Sequence, residues 1–252
     1  MSNNVADVYA EEQKQLYQNF LEDWDPEDQY GIGVSGCWPD QETYPYEKHL
    51  LEFYETESDG FKKLGRCLDF GCGNGRMLHR MSNFFEKLDG CDFMQEHLEM
   101  AKKYLFEFNE HEKERFGFYL TNGKDSKINT PSDYYDFIYS TVVLIHVIPR
   151  SVRKEILKNH YELLKPGGRI CHQMTYVDPE YVQDYYSKKN SLDYDFVVWQ
   201  DPITGELRQN IRKYWNYNES KSKLDGNIYV SKSDLKTIIK DLEEVGYKNI
   251  MF

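Results

Sequence analysis

An acidic residue followed by three alternate glycines is the part of this 252-residue chain whose residue types and spacing point most directly to chemistry. Asp69 comes first, and Gly71, Gly73 and Gly75 follow it within the sequence DFGCGNGR. Glycine accepts a positive φ angle and lets a ligand approach the main chain closely. Because an apolar run precedes the turn and a helical pattern follows it, free N–H groups at the helix start are expected to meet a negatively charged or strongly accepting ligand. The stretch therefore predicts a cofactor loop of the nucleotide-binding type.

The spacing of the glycines indicates whether the cofactor is a dinucleotide or another nucleotide-type molecule. A dinucleotide fingerprint reads G-x-G-x-x-G/A, with a small residue at its last position. Here the third glycine comes one residue early, and Arg76 stands where the small residue is expected. The carboxylate of Asp69 would repel a pyrophosphate, but it suits a cofactor that carries an ammonium group. Both residues therefore disfavour a nicotinamide-dependent oxidoreductase.

A second acidic residue ends the next predicted strand. Asp92 follows the glycine turn at about the 20-residue spacing of ribose-binding acids. A carboxylate at that position can accept hydrogen bonds from both ribose hydroxyls. Phe93 and Met94 come directly after it and could flank an adenine ring.

These two stretches resemble motifs I and II of the Rossmann-like, class I S-adenosylmethionine-dependent methyltransferases. Motif I of that family is written (D/E)-x-G-x-G-x-G, and Asp69, Gly71, Gly73 and Gly75 occupy all of its fixed positions. Asp92, followed by apolar residues, matches the acidic residue of motif II.

Two further signatures follow in the order that the family has them. An Asp-led apolar strand at 136–140 is followed by His146 and then by an apolar residue and a proline. The sequence LKPGG at 164–168 matches the family's turn into the fifth strand. Over residues 64–176 the resemblance thus implies a methyltransferase that uses S-adenosylmethionine and releases S-adenosylhomocysteine.

The resemblance also implies which residues contact the cofactor, at the carboxyl ends of the first four strands. They are Asp69, Gly71, Cys72, Gly73, Gly75, Asp92, Phe93, Met94, Asn122, Gly123, Lys124 and Ser140. The loop 121–125 corresponds to the family's adenine-reading loop, but the usual Gly-Asp pair is absent. Whether Asn122 or Asp125 meets the adenine amino group therefore stays open.

Methyl transfer is a direct displacement in which a lone pair attacks the sulfonium methyl group, and the protein mainly aligns the two partners. A hydroxyl acceptor must lose its proton as the bond forms, so a general base helps. His146 is the first candidate because it lies just past the fourth strand, and a structural histidine beneath that loop is the alternative. His172, Tyr176 and Asp178, at the end of the fifth strand, are further candidates for which a structural role is favoured.

The sequence disfavours a macromolecular acceptor. Enzymes that methylate the amino group of adenine or glutamine carry (D/N)-P-P-(Y/F) after the fourth strand, where this chain has STVV at 140–143. The formal net charge is −12, with 43 acidic and 31 basic residues, whereas nucleic-acid binding relies on Lys and Arg. We therefore expect no nucleic-acid partner.

A small polar molecule is the expected acceptor, methylated on a hydroxyl oxygen: a sugar, a sugar derivative or a phosphorylated metabolite. Arg208, Arg212 and Lys213 could hold a phosphate or carboxylate of such an acceptor, although a solvated or salt-bridged face is favoured for them. Two alternatives remain open. One is N-methylation of a small amine, which acidic and aromatic pocket walls would favour, and the other is a non-catalytic subunit that binds the cofactor.

The chain is expected to divide into four parts. Residues 1–62 form an N-terminal helical cap or lid, and residues 63–176 form the cofactor-binding Rossmann-like α/β core, a doubly wound, mostly parallel sheet with helices on both faces. Residues 177–230 form an aromatic insertion on the substrate side, and residues 231–252 supply the final helix and strand of the core.

Within these parts, helical periodicity predicts helices over 5–24 and 46–57. Short apolar runs predict strands over 196–199 and 227–230, and the segment 246–250 resembles the family's sixth strand. The usual final antiparallel strand is then either missing or supplied by the insertion.

The remaining features bound the class of protein. No run of about 18 apolar residues occurs, and the N-terminus lacks the basic and apolar regions of a signal peptide, so we expect a soluble, cytoplasmic enzyme with no membrane partner. Five cysteines without C-x-x-C spacing are typical of reduced thiols and predict no metal site. The sequence does not indicate the oligomeric state.

Overall fold

The structure is a computed structural model of the chain. It describes residues 5–22, 50–51, 64–108, 110–147, 150–174, 196–200, 207–211, 229–231 and 235–251.

A parallel sheet of five strands forms the centre of the fold. Its strands are β1 (Leu64–Phe70), β2 (Phe85–Asp92), β3 (Phe116–Leu120), β4 (Tyr135–Ser140) and β5 (Leu164–His172). They lie in the order β3-β2-β1-β4-β5, and every neighbouring pair is parallel. The chain builds outward from β1 to β3 and then returns to the other side of β1, so the strand order reverses between β1 and β4. Open α/β sheets bind their ligands outside the carboxyl ends of the strands at such a switch point.

Helices lie on both faces of this sheet. They are α1 (Val5–Glu22), α2 (Arg76–Met81), α3 (Gln95–Phe108), α4 (Arg150–Leu163) and α5 (Leu235–Val245), with a short 3-10 helix (Glu110–Arg115) before β3. Successive side chains of a strand point to opposite faces, and β1 accordingly buries Cys67 among the side chains of α2 and α3, and Leu68 among those of α4 and α5. The predicted doubly wound α/β fold is therefore confirmed.

Three strands beyond the core form a second, antiparallel sheet. They are β6 (Phe196–Gln200), β7 (Leu207–Ile211) and β8 (Tyr229–Ser231), in the order β6-β7-β8. The predictions of strands over 196–199 and 227–230 are confirmed, with small shifts in their ends. The strand β7 was not predicted because its sequence, LRQNI, has no apolar alternation. These strands pair with one another, so the described part of the insertion does not extend the main sheet.

The prediction of a final strand over 246–250 is wrong. The chain leaves α5 through Gly246, with a φ of 119°, and reaches a second positive φ of 55° at Asn249. Two such angles interrupt the extended conformation that a strand requires. Tyr247 instead packs edge-on against Tyr161 of α4, with ring centroids 5.2 Å apart, so the segment covers a helix rather than a sheet edge.

The predicted helix over 5–24 is confirmed as α1. Of the helix expected over 46–57, the described residues include only Leu50 and Leu51, and both are buried. None of the described helices is long and apolar enough to cross a membrane.

Candidate cofactor site

All three glycines of the turn between β1 and α2 have positive φ angles, of 73°, 51° and 83° for Gly71, Gly73 and Gly75. Two of them are packed closely. A Cβ atom at Gly71 would lie 2.5 Å from a methyl group of Val143, and one at Gly75 would lie 3.0 Å from the Cβ atom of Ala101. At Gly73 a Cβ atom would meet nothing within 4 Å, so this glycine borders open space and is the point where a ligand can reach the main chain.

Asp92, at the end of β2, is tied to the glycine turn. The N–H of Gly73 donates to its Oδ2 atom at 3.0 Å. The N–H of Met94 donates to its Oδ1 atom at 2.9 Å, and Nδ1 of His97 lies 3.2 Å from the same oxygen. Two of the residues that the sequence predicts for cofactor binding, Gly73 and Asp92, are thus in direct contact.

Asp69 lies beneath the same turn and is 1% exposed. Desolvation by burial raises the pKa of its carboxyl group to about 8; the hydroxyl of Tyr139 lowers this pKa and the Asp92 carboxylate raises it. Among the described residues, its Oδ2 atom has no hydrogen-bond partner. A buried polar oxygen without a partner is unusual in proteins, and a donor carried by a ligand would satisfy it.

The loop after β3 is shaped by Asn122. Its side-chain oxygen accepts hydrogen bonds from the N–H groups of Lys124, at 2.8 Å, and Asp125, at 3.1 Å, which closes an Asx turn. Its amide nitrogen lies 3.3 Å from a carboxylate oxygen of Asp125. The two side chains are therefore engaged with each other, and the contact of one or the other with adenine stays a prediction.

Helix α1 covers two of these loops. The ring of Tyr17 meets Phe93 and His97 edge-on, with centroid distances of 5.3 and 5.6 Å. Burial raises the pKa of Tyr17 to about 12, and the Asp92 carboxylate contributes. Lys124 forms an ion pair with Asp7 of α1. Sequence periodicity placed Tyr17 on an amphipathic helix, but it gave no signal for the loops that the helix would contact, and neither Tyr17 nor His97 was predicted as a site residue.

The ends of β4 and β5 are joined by polar side chains, of which Ser140 and His160 are buried and His172 is partly buried. Oγ of Ser140 lies 2.9 Å from Nδ1 of His172, and the other ring nitrogen of His172 lies 3.1 Å from Nδ1 of His160. Burial lowers the pKa of His172 to about 3 and that of His160 well below its usual value. His172 is therefore a poor base candidate, and the hydroxyl of Ser140 is directed at a histidine. The other two candidates at this strand end, Tyr176 and Asp178, lie outside the described residues.

The loop after β4 is strained. Val142 has a φ of 59°, which is rare for a β-branched residue, and its side chain is 40% exposed. Its N–H donates to the side-chain oxygen of Gln173 at 2.9 Å. Backbone strain of this kind is concentrated at functional sites. His146, the candidate base, lies in the same loop and is partly buried.

All predicted cofactor residues thus lie at or just after the carboxyl ends of strands. Cys72 and Met94 are 7% and 1% exposed, so their positions favour packing beneath the site. Of the three basic residues considered for acceptor binding, Arg208 lies in β7, whereas Arg212 and Lys213 lie outside the described residues. In the described part of the chain, no group of three His, Cys, Asp or Glu residues could hold a metal ion.

Comparisons with known proteins agree with this geometry. Residues 67–168 match a family model described as a methyltransferase domain. The arsenite methyltransferase of Mus musculus is 31% identical over 161 residues, which cover 60% of this chain and 38% of the relative. The ubiquinone biosynthesis O-methyltransferase of Proteus mirabilis is 25% identical over 201 residues, covering 72% of this chain and 77% of the relative.

A crystal structure of a SAM-dependent methyltransferase from Methanosarcina mazei has the same fold. Its TM-score is 0.50, with 17% identity, and the match covers 80% of this chain and 84% of that one. The chain spans only 38% of the length of the arsenite methyltransferases that it matches. The glycine turn and Asp92 thus lie within the residues that match a methyltransferase domain, on a sheet with the fold of a SAM-dependent methyltransferase.

Proposed function

We propose that this chain binds S-adenosylmethionine at the carboxyl ends of β1 and β2 and catalyses transfer of its methyl group to a hydroxyl oxygen of a small polar molecule. The observation that carries the proposal is the open space beside Gly73, whose N–H is bonded to Asp92. A ligand in that space would contact main chain on one side and a buried carboxylate on the other.

The residues around this space fit the chemical groups of the cofactor. Asp92 offers a carboxylate oxygen to the ribose, and Asp69 offers a buried oxygen that lacks a partner among the described residues. An ammonium group would satisfy that oxygen and favour the ionised carboxylate. The absence of a Cβ atom at Gly73 allows the close approach that a bound adenosyl group would need.

When bound, S-adenosylmethionine supplies an activated methyl group on a sulfonium centre. The contribution of the protein is alignment and exclusion of water. Helix α1 supports exclusion of water, because its Tyr17 covers Phe93 and His97 beside Asp92. On the acceptor side, we assign His146 as the base that removes the hydroxyl proton, because its loop leaves β4 at the switch point of the sheet.

The relatives support the hydroxyl acceptor only in part. The Proteus mirabilis relative is named an O-methyltransferase, which agrees with an oxygen acceptor. The mouse relative is named an arsenite methyltransferase, and trivalent arsenic is a soft centre that prefers thiolates. In the described part of the chain, Cys67, Cys72 and Cys91 are buried, and burial raises the pKa of each thiol, so these cysteines do not favour that acceptor.

Calorimetric titration with S-adenosylmethionine, S-adenosylhomocysteine and NADH tests the cofactor. We expect micromolar binding of both adenosyl compounds and none of NADH. Asp92→Asn should weaken binding at least about 10-fold, because a hydrogen bond to a charged group contributes ~1.5–3 kcal/mol. Glu96→Gln, which removes an exposed carboxylate on α3, is the matched control and should bind like the wild type. Binding of NADH, or of neither adenosyl compound, would overturn the proposal.

A second measurement separates the acceptors. Release of S-adenosylhomocysteine would be followed with panels of small hydroxyl compounds and small amines. Turnover with hydroxyl compounds supports O-methylation, and turnover with amines alone would show the N-methyltransferase alternative. Tight cofactor binding without turnover on either panel would favour the non-catalytic subunit.

A further inference from the structure

We propose that His97 is a positioning residue for the cofactor, which fixes the Asp92 carboxylate so that a single oxygen, Oδ2, is left to accept a ribose hydroxyl. The inference rests on the proposed function and adds a residue that no motif of the family marks in this sequence. It also predicts that the two ribose hydroxyls contribute unequally to the affinity, whereas a carboxylate that binds both hydroxyls would make both contributions large.

The Asp92 carboxylate already accepts three hydrogen bonds from the protein. An ionised carboxylate offers about four lone-pair sites, two on each oxygen. The N–H of Met94, at 2.9 Å, and Nδ1 of His97, at 3.2 Å, use both sites of Oδ1. The N–H of Gly73, at 3.0 Å, uses one site of Oδ2. One lone pair of Oδ2 therefore remains, on the oxygen that faces the glycine beside the open space.

The proton of the hydrogen bond between His97 and Asp92 lies on the imidazole. A carboxylate can only accept, so His97 must donate to Asp92 through an Nδ1–H group. The residue is 3% exposed, and within the described residues its Nε2 atom has no hydrogen-bond partner. The bond to Asp92 is thus the polar contact that orients this imidazole.

Helix α1 shields the His97 side of Asp92 from water. The ring of Tyr17 lies edge-on to His97 at 5.6 Å and edge-on to Phe93 at 5.3 Å. Helix α1 therefore covers the side of Asp92 that carries Oδ1. Without the imidazole, the carboxylate would lose a fixed donor and could rotate, and a ligand hydroxyl would meet an oxygen of less defined position.

A histidine packed on α3 for structural reasons alone would show the same burial. The two roles differ in what they do to the ribose hydroxyls. Loss of packing would weaken all adenosyl ligands equally, whereas loss of positioning would weaken only the ligands that keep the hydroxyl that meets Oδ2.

The experiment is a cycle of His97 variants and deoxy ligands, measured by calorimetry. The ligands are S-adenosylhomocysteine and its 2′-deoxy and 3′-deoxy analogues. In the wild type, removal of one hydroxyl should weaken binding about 10-fold or more, the effect of a hydrogen bond to a charged group, and removal of the other by less than about 3-fold. In His97→Leu, the affinity for S-adenosylhomocysteine should fall about 10-fold. The deoxy analogue that lacks the hydroxyl bound by Oδ2 should bind to this variant as it does to the wild type.

Two further variants keep the test decisive if His97→Leu does not fold. His97→Asn can place an amide N–H near the position of Nδ1 and should keep the discrimination between hydroxyls. His97→Gln places its amide farther out and should lose it. Thermal unfolding of each variant, followed by circular dichroism, verifies that the compared proteins are folded.

Three results would overturn the proposal. They are equal losses for all three ligands in His97→Leu and His97→Gln, no loss in either variant, and equal effects of both hydroxyls in the wild type. If the wild type binds none of the adenosyl ligands, the proposed function fails and this inference fails with it. If the wild type binds but discrimination does not depend on residue 97, only this inference fails.

Discussion

The phenolic hydroxyl of Tyr9 donates a 3.2 Å hydrogen bond to the main-chain carbonyl of His146, 137 residues away in the sequence. This bond ties α1 to the loop after β4. The same helix meets the loop after β3 through the ion pair of Asp7 with Lys124, and the segment after β2 through Tyr17. One helix therefore contacts the chain after the ends of β2, β3 and β4, on both sides of β1 and its glycine turn.

Removal of the Tyr9 hydroxyl should loosen the loop after β4. Tyr9→Phe keeps the buried ring and removes the hydrogen bond, so we expect a loss of about 1 kcal/mol in the free energy of unfolding. Hydrogen exchange of the amides over 143–147, measured by mass spectrometry, should become faster. Tyr247→Phe is the matched control, because it removes a 2.9 Å hydroxyl bond to the carbonyl of Leu157 on α4. Equal exchange over 143–147 in both variants would show that Tyr9 does not hold the loop.

Alanine at two glycines of the turn should separate ligand binding from folding. Both positions have positive φ, so each substitution should cost ~1–2 kcal/mol in backbone strain. Gly73→Ala meets open space in the protein and should reduce cofactor affinity more than about 10-fold by filling it. Gly75→Ala also presses a methyl group to within 3.0 Å of Ala101, so it should lose more stability. Urea unfolding and calorimetric titration measure the two effects, and a Gly73→Ala protein with wild-type affinity would place the ligand elsewhere.

The parts of the fold that follow from local sequence were predictable. The strand β4 begins one residue before the predicted range 136–140, and β6 ends one residue after the predicted range 196–199, because apolar runs and turn residues are local signals. The prediction of a final strand over 246–250 was wrong, because the positive φ angles of Gly246 and Asn249 depend on helix termination and on packing against α4. The resemblance of this segment to the family's sixth strand does not contain that information.

Site residues could be predicted where a sequence motif determines their positions. They could not be predicted where a contacting residue comes from a segment that is distant in the sequence. Gly73 and Asp92 are in contact because adjacent parallel strands bring their carboxyl ends together. The contacts of Tyr9 and Tyr17 depend on the placement of α1 over the sheet, which the periodicity of the helix does not specify. His97 was not predicted for a related reason. Its hydrogen bond to Asp92 is local in the sequence, but its burial under Tyr17, which isolates it from water, depends on the placement of α1.

Binding of a cofactor with an ammonium group should release a proton from Asp69. Burial raises the pKa of this carboxyl to about 8, so it holds its proton at pH 7 and should lose it when a positive charge is placed beside it. The protonated fraction at that pH is about 0.9, which is the expected number of protons released per S-adenosylhomocysteine bound. Titrations in phosphate and in Tris, which differ in ionisation enthalpy, measure it. Asp69→Asn should abolish the difference in heat between the buffers, and equal heats for the wild type would contradict the prediction.

The stability of the protein should fall in mild acid because of His172. Burial lowers the pKa of His172 to about 3, whereas a histidine in the unfolded chain titrates near ~6.5. Between these values the unfolded chain binds a proton that the folded chain does not, so the stabilisation is complete above the unfolded pKa and is lost as the pH falls. From pH 7 to pH 5 the wild type should lose about 2 kcal/mol more than His172→Asn, which can keep a polar contact with Ser140.

The comparison with His172→Asn isolates this histidine from a group that acts in the opposite direction. The raised pKa of Asp69 makes the folded state bind a proton in the window from about 4 to 8, so its contribution to stability grows as the pH falls. Because both proteins contain Asp69, that contribution cancels in the difference. Urea unfolding at pH 7, 6 and 5 measures the difference, with His111→Asn, a change at an exposed side chain, expected to follow the wild type. Parallel losses for the wild type and His172→Asn across this range would mean that His172 gains its proton without opening the fold.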